Sequence, residues 1–253
     1  MKILDLCCGC GGFSLGFKDN NNEFVGIDIW DKALKSYQAN LNSETIQADI
    51  RFLDVSIFKK MEFDIIIGSP PCQQFSIARN ISKRNIEKPD LSLIESFIKI
   101  KNYLKPRYWI MEEVPQVVRF IGNMAGKARI LGACDFGLFH IRKRAFFGNF
   151  PDPLKKEKPK ILLPTPLASY RGYFCHKKFD PEYLRDLEKK IGMKISRNNE
   201  NLYKFLMGFP NDYFLAGNKN DRMRQLGNAV CPPVARAIYK SILNNKKLDD
   251  FLR

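Results

Sequence analysis

Residues 1–30 read MKILDLCCGCGGFSLGFKDNNNEFVGIDIW, and this stretch decides the fold. Residues 1–7 form a short apolar run that leads into Gly9, Gly11 and Gly12. A short helical pattern follows over 13–18, then a second apolar run over 24–29. Strand, glycine turn, helix and strand make one βαβ unit, and such units build parallel sheets. The pattern continues outward. Residues 31–41 carry Ala33, Leu34, Tyr37 and Leu41 at helical spacing, and 45–48 read as a third strand. FDIIIG at 63–68 is a buried-strand pattern stopped by Pro70 and Pro71. An amphipathic helix over 91–104 ends before Pro106, 108–111 form another strand, and 137–150 a turn and a strand. The class that follows is α/β: a doubly wound, mostly parallel sheet with helices on both faces, binding its ligand at the carboxyl ends of the strands.

Beyond residue 150 the pattern changes. PDPLKKEKPKILLPTP at 151–166 holds five Pro and reads as a loop, not a packed element. Residues 181–193 read as one helix, 233–243 as a helix returning to the core, and the last ten residues as a frayed end. The chain divides into a body over 1–150, a small region over 151–200 and a C-terminal segment over 201–253.

The 253 residues carry 42 Lys and Arg against 27 Asp and Glu, a net +15. Residues 1–150 hold +5, and each of 151–200 and 201–253 holds the same excess on about a third of the length. Dense positive charge suits a polyanion, because Lys and Arg displace counterions from phosphates; a generally basic soluble surface is the plainer alternative. The chain is long enough for a core without staples, and at 45% hydrophobic residues disorder is excluded as the main state. No apolar run reaches the roughly 18–20 residues of a membrane span. The N-terminus carries Asp5 and does not read as a secretory signal. Seven Cys, an odd number with only three clustered, point to a reducing compartment.

DLCCGCGG at 5–12 lets backbone approach a ligand closely, with a helix N-terminus behind it; a tight structural turn is the alternative. Asp28, at the end of the second strand, suits ribose hydroxyls, and Asp49 after the third strand can reach the same ligand. GSPPCQQFS at 68–76 sets Cys72 in a rigid loop beyond a buried strand, where a thiolate nucleophile belongs. Cys7 and Cys10 form a CxxC, open to a redox or zinc reading as well as to a cofactor loop. IMEEVP at 110–115 places Glu112 and Glu113 at a strand end, and only one of two adjacent strand residues can face a site. HIRKR at 140–144 puts Arg142 and Arg144 on one strand face, where they can hold a phosphate or a base carbonyl.

Together and in this order, DLCCGCGGFSLGF, GIDIW, ADI, GSPPCQQFS, EEV, HIRKR and QLGNAV followed by PP strongly resemble the DNA cytosine-5 methyltransferases. The likeness covers about 1–150 and 205–240 and leaves 151–200 unmatched. It implies a Rossmann-like methyltransferase fold, S-adenosylmethionine as cofactor, double-stranded DNA as partner, and no metal. Cys72 is then the nucleophile that attacks C6 of the target cytosine, and Glu112 engages N3 and N4. Arg144 matches the arginine near O2, and Arg142 its partner near the nucleophile. Asp28 falls at the ribose and Asp49 at the adenine edge. Asp5, Cys10, Gly11, Gly12, Ile29, Ile50, Pro71, Leu93, Asn228 and Ala229 fall at or beside other cofactor contacts. Enzymes of this chemistry flip the base out of the duplex. The loop over 79–90, with Arg79, Lys83 and Arg84, resembles the lid that closes over DNA. Target recognition falls to 151–200, where Arg171, Tyr173, His176, Lys177 and Lys178 are the candidate DNA contacts.

The chain also departs from the family pattern. Cys7 stands where an aromatic residue is usual, Glu113 where Asn is, and His140 where Gln is. The segment before MGFP (207–210) lacks the usual Arg-Thr-Pro-Glu. The resemblance puts the protein in the cytoplasm or on the nucleoid of a prokaryotic-type cell, with a cognate restriction endonuclease as a candidate partner. Two other readings stay open: RNA (tRNA) cytosine-5 methylation by the same fold, and a non-catalytic DNA-binding member.

Overall fold

The structure is a computed structural model that describes residues 1–41, 43–71, 89–160, 162, 163, 165, 185, 186, 188, 189, 192, 193 and 199–251, with side chains to 245. Seven strands are described: β1 (Lys2–Leu6), β2 (Glu23–Asp28), β3 (Glu44–Gln47), β4 (Ile65–Gly68), β5 (Tyr108–Glu113), β6 (Arg129–Gly132) and β7 (Lys143–Gly148). They form one sheet in the order β3-β2-β1-β4-β5-β7-β6. All neighbours are parallel except at β7, which runs antiparallel to both β5 and β6. The doubly wound, mostly parallel sheet expected from the sequence is therefore present.

The helices whose bounds are described are α1 (Gly12–Phe17), α2 (Asp31–Leu41), α3 (Ser92–Leu104), α4 (Val118–Ala125), α5 (Glu200–Met207), α6 (Lys219–Asn228) and α7 (Pro232–Phe251). Two apolar layers cover the two sheet faces. Ile3, Ile65, Ile67, Ile110 and Phe146 meet α1, α2 and α5 to α7 on one side. Leu4, Leu6, Ile66, Met111 and Phe147 meet α3 and α4 on the other. Alternate residues of a strand serve opposite faces, so a strand covered on both sides reads as an unbroken apolar run. Ile65, Ile66 and Ile67 are the clearest case, each fully buried and each stabilising the fold by about 2 kcal/mol.

The register places the functional loops side by side. Leu6 pairs with Ile27 on one side and Gly68 on the other, Asp28 with Gln47, and Gly68 with Met111. The segments leaving β1, β2, β3, β4 and β5 thus emerge along one edge of the sheet. The C-terminal helix returns to the core: α7 lies against α1, with Val234, Ala235, Ile238, Tyr239 and Ile242 buried.

Several expectations need correction. The last ten residues were expected to fray, yet α7 runs on to Phe251. The 151–166 stretch is irregular, but not wholly unpacked: Leu163 is buried and forms a β-bridge with His140. The expected helix over 181–193 falls mostly outside the described residues. Four elements had no counterpart in the sequence reading: β6, α4, α5 and α6.

Candidate active site

The glycine loop is left-handed at three points, with φ of 56° at Cys7, 54° at Gly9 and 89° at Gly11. Gly9 N–H donates to Asp28 Oδ2 at 2.8 Å, and Trp30 N–H to Oδ1 at 2.9 Å. Two backbone donors thus aim the Asp28 carboxyl at the strand ends, although burial raises its pKa. The glycines do different work. A Cβ on Gly9 would meet nothing within 4 Å, so this residue faces open space. A Cβ on Gly11 would strike Leu41, Tyr37 and Tyr213, and one on Gly12 would lie 2.3 Å from Val230 O. Gly12 also brings the loop within reach of Ala229, whose Cβ would lie 3.1 Å from the added carbon. The turn at 227–229 therefore completes the loop, with Asn228 exposed and Ala229 half-buried.

Two residues assigned to ligand contact have side chains buried beneath the loop surface. Asp5 is 1% exposed, and Ser14 Oγ donates to its Oδ2 at 2.6 Å. Ser14 in turn lies 2.7 Å from the Tyr37 hydroxyl. A carboxyl so enclosed braces β1 against α1. Cys10 is also buried, with its thiol against Gln225 O and its carbonyl accepting from the Tyr213 hydroxyl. Burial pushes Cys10 up to about 12 and raises Cys7 well above its ordinary value, so neither is the thiolate that a redox pair needs. Among the described residues, no three His, Cys, Asp or Glu side chains group as a metal site.

Around this loop the other candidates divide by exposure. Ile29 is 64% exposed at the end of β2, and Pro71 is exposed beyond β4. Leu93 is half-buried, and Ile50 is packed in the core that includes Ile66. Asp49 is held by its neighbour: Arg51 Nε donates to Oδ1 at 3.0 Å and Arg51 N–H at 2.9 Å. The guanidinium holds this carboxyl below the usual range. Phe52, which the sequence reading did not single out, is 83% exposed beside it.

Glu112 and Glu113 are both buried at the end of β5, on opposite faces. Glu112 shares its face with Ile110; Glu113 turns to the other side, where its Oε2 accepts from Val114 N–H at 3.0 Å. Arg144 Nε lies 2.8 Å from Glu112 Oε1. This contact is a charge pair without hydrogen-bond alignment, since that oxygen has no hydrogen-bond donor. Arg142 parts from Arg144. Its buried guanidinium donates to Gly227 O at 2.9 Å and Ala229 O at 3.3 Å. Burial lowers it to about 10, which leaves it charged at neutral pH. It clasps the last turn of α6 and its cap, the turn at 227–229. His140 is buried next to it, bridging Arg142 N–H and Leu206 O.

Cys72 follows Pro71 directly, and with Arg79, Lys83, Arg84, Arg171, Tyr173, His176, Lys177 and Lys178 it lies outside the described residues. Sequence reasoning missed Ser14, Tyr37, Tyr213 and Gln225, which hold the loop from below. Ser14 and Gln225 lie inside quoted motifs, yet only the hydrogen bonds reveal the bracing role of all four.

The family model for C-5 cytosine-specific DNA methylases matches residues 1–202 and 199–244. A putative type II methyltransferase of Methanocaldococcus jannaschii is 28% identical over 306 residues, covering 96% of this chain and 99% of the relative. The type II methyltransferase M.HgiDI of Herpetosiphon aurantiacus is 39% identical over 293 residues, covering 94% and 92%. Among solved structures, the Entamoeba histolytica methyltransferase EhMeth superposes with a TM-score of 0.72 at 17% identity, covering 97% of this chain and 98% of its own. A Spodoptera frugiperda DNMT2 variant gives 0.63 at 17% identity, covering 96% and 99%. At such identities the two structures speak for the fold alone.

Proposed function

This chain belongs to the C-5 cytosine-specific DNA methylase family, and from that premise we propose that it transfers a methyl group from S-adenosylmethionine to C5 of a flipped cytosine in duplex DNA. The observation that carries the proposal is the ion pair between buried Glu112, at the end of β5, and half-buried Arg144, on β7. Opposite charges withdrawn from water are costly unless further polar contacts complete them, and an incoming pyrimidine edge would supply those. Glu112 then engages N3 and N4 while Arg144 donates to O2.

The ends of β1 and β2 suit the adenosine part of the donor. Asp28 presents an aimed carboxyl for ribose hydroxyls, Gly9 opens onto free space, and Ile29 and Phe52 offer apolar surface to a flat ring. When bound, S-adenosylmethionine supplies an electrophilic methyl group. The Cys72 thiolate adds to C6, which makes C5 the nucleophile that takes the methyl group. Loss of the C5 proton to a base and expulsion of the Cys72 thiolate then restore the ring and the enzyme. Residues 151–200 would read the target sequence. The relatives named above are type II methyltransferases, so we extend to this chain a restriction–modification setting in the cytoplasm, with a cognate endonuclease as partner. Among the described residues no helix is long and apolar enough to cross a membrane.

The test is transfer of labelled methyl from S-adenosylmethionine to duplex DNA, with tRNA in parallel. We expect DNA to be labelled, Cys72→Ala to be inactive, and Glu112→Gln to lose about 10²-fold or more in kcat. A Cys72→Ala variant as fast as the parent would sink the covalent route. Preferential labelling of tRNA would overturn the choice of substrate.

A further inference from the structure

His140 has no place in the chemistry above, yet it is completely buried (0% exposed) at a junction of three chain segments. Its backbone bridges Leu163, where the chain has left β7 for the 151–200 region. Its ring reaches α5, where the chain comes back. Nδ1 accepts from Arg142 N–H at 3.3 Å, so the ring hydrogen is on Nε2, which donates to Leu206 O at 2.9 Å. Both partners are main-chain groups of buried residues. Burial holds the imidazole neutral, with a pKa down at about 3, so this tautomer persists through the working pH range.

What His140 fixes is the segment just before β7, which carries Arg142. The Arg142 guanidinium then draws in the carbonyls of Gly227 and Ala229, one on each side of Asn228. With both flanking carbonyls turned inward to the same cation, Asn228 is left exposed beside the glycine loop, where Ala229 approaches Gly12. The chain of contacts runs from α5 through His140 and Arg142 to the turn at 227–229.

We propose that His140 is a positioning residue for the methyl-donor site, acting through Arg142 to set the turn that presents Asn228. The proposal rests on the reading of that turn as part of the S-adenosylmethionine site. It makes a selective demand. Loss of the bridge should weaken donor binding and leave the reacting groups Cys72, Glu112 and Arg144 in place. Glutamine can make both of the histidine's bonds, accepting with Oε1 and donating with Nε2, so it should restore the site.

The experiment measures the Kd for S-adenosylmethionine by calorimetry on the full chain, and donor KM and kcat at saturating duplex DNA. The variants are His140→Ala, His140→Asn, His140→Gln, Arg142→Lys and the double variant His140→Ala/Arg142→Lys. Expected is a rise of about tenfold in donor Kd and KM for His140→Ala with kcat nearly unchanged, the signature of lost uniform binding. His140→Asn, too short to span both partners, should behave alike and serves if the alanine variant does not fold. His140→Gln should return to within about threefold of the parent. The double variant should bind no worse than Arg142→Lys alone, since residues acting in series are not additive. A folded His140→Ala or His140→Asn protein with the parent's donor Kd overturns the proposal, as does a loss confined to kcat or additive losses in the double variant. If the parent itself binds no S-adenosylmethionine, the reading of the site falls and takes the proposal with it.

Discussion

Asp5 shows how a single side chain ties the glycine loop to pH. One of its oxygens takes the Ser14 hydroxyl, and the other is buried without a hydrogen-bond partner. Burial is the largest influence and pushes the carboxyl up to about 8, so it is a neutral acid at neutral pH. In the unfolded chain the same group titrates near 3.8. The folded state therefore keeps a proton that the unfolded chain has released. Asp5 favours folding fully below about pH 4, and that advantage drains away as pH climbs through the window up to about 8. Asp5→Asn, neutral at every pH and close in shape, should remove this dependence. Its Tm should match the parent's near pH 4 and exceed it by pH 8, by an amount worth on the order of several kcal/mol. Thermal unfolding of both proteins from pH 4 to 8 checks this; parallel curves would mean that Asp5 ionises freely in the fold. At this scale, legibility depended on chemistry. Asp28 and Glu112 could be proposed from the sequence because a carboxyl at a strand end follows a recurring spacing. Asp5 carries the same motif signal as a ligand group, and its bracing role shows only in its burial and its bond to Ser14.

The elements pack through glycines as much as through apolar stripes. On α1, a Cβ added to Gly16 would lie 2.3 Å from Ala235 Cβ and 2.7 Å from Pro232 O, so α1 and α7 touch backbone to backbone. On α4, Gly122 has nothing within 4 Å of the same added atom. The two sites make a matched pair. Gly16→Ala should destabilise by about 1–3 kcal/mol through overpacking, outweighing its gain in helix propensity. Gly122→Ala should stabilise by about 0.5–1 kcal/mol, because there only propensity changes. Urea unfolding of both variants decides the matter, and equal effects of the same sign would refute the close α1–α7 packing. The same physics explains which elements were legible. β4 and α2 announce themselves, with three successive Ile in one and a clean apolar face in the other. α6 does not, because only Gln225, Leu226 and Gly227 of its residues are buried. It is held by Lys32–Asp221 and Arg222–Glu200 ion pairs and by Ser36 donating to Gln225. Periodicity cannot register an anchor made of charges, although the Asn218–Asp221 capping box was present to be read. β6 is short and at the sheet edge, with Ile130 exposed, so its four residues show neither alternation nor an apolar run.

Across the whole molecule, the +15 charge is unequal in its freedom to act. Among the described residues several cations are already engaged: Arg51 with Asp49 and Arg129 with Asp152 in the body, and Lys155 and Lys158, at the start of the 151–200 segment, with Asp135. Engaged cations contribute less to a polyanion partner than their count suggests. The segment 151–200 holds a +5 excess in fifty residues and includes Lys177 and Lys178, chosen on sequence grounds as DNA contacts. If that segment faces the duplex, binding should be dominated by phosphates. Affinity for a short duplex should then fall at least about 10²-fold between 50 and 200 mM salt, with log K linear in log salt. Lys177→Ala/Lys178→Ala should reduce the slope of that line by about 2, one for each lost phosphate contact. Lys59→Ala/Lys60→Ala removes the same charge from an exposed site on the body, just past the short 3-10 turn Val55–Phe58, and should leave the slope unchanged. Fluorescence anisotropy across a salt series separates the outcomes. Because both pairs lower the net charge equally, a slope that tracks net charge alone would move for both, and only a defined DNA face at 151–200 moves for one.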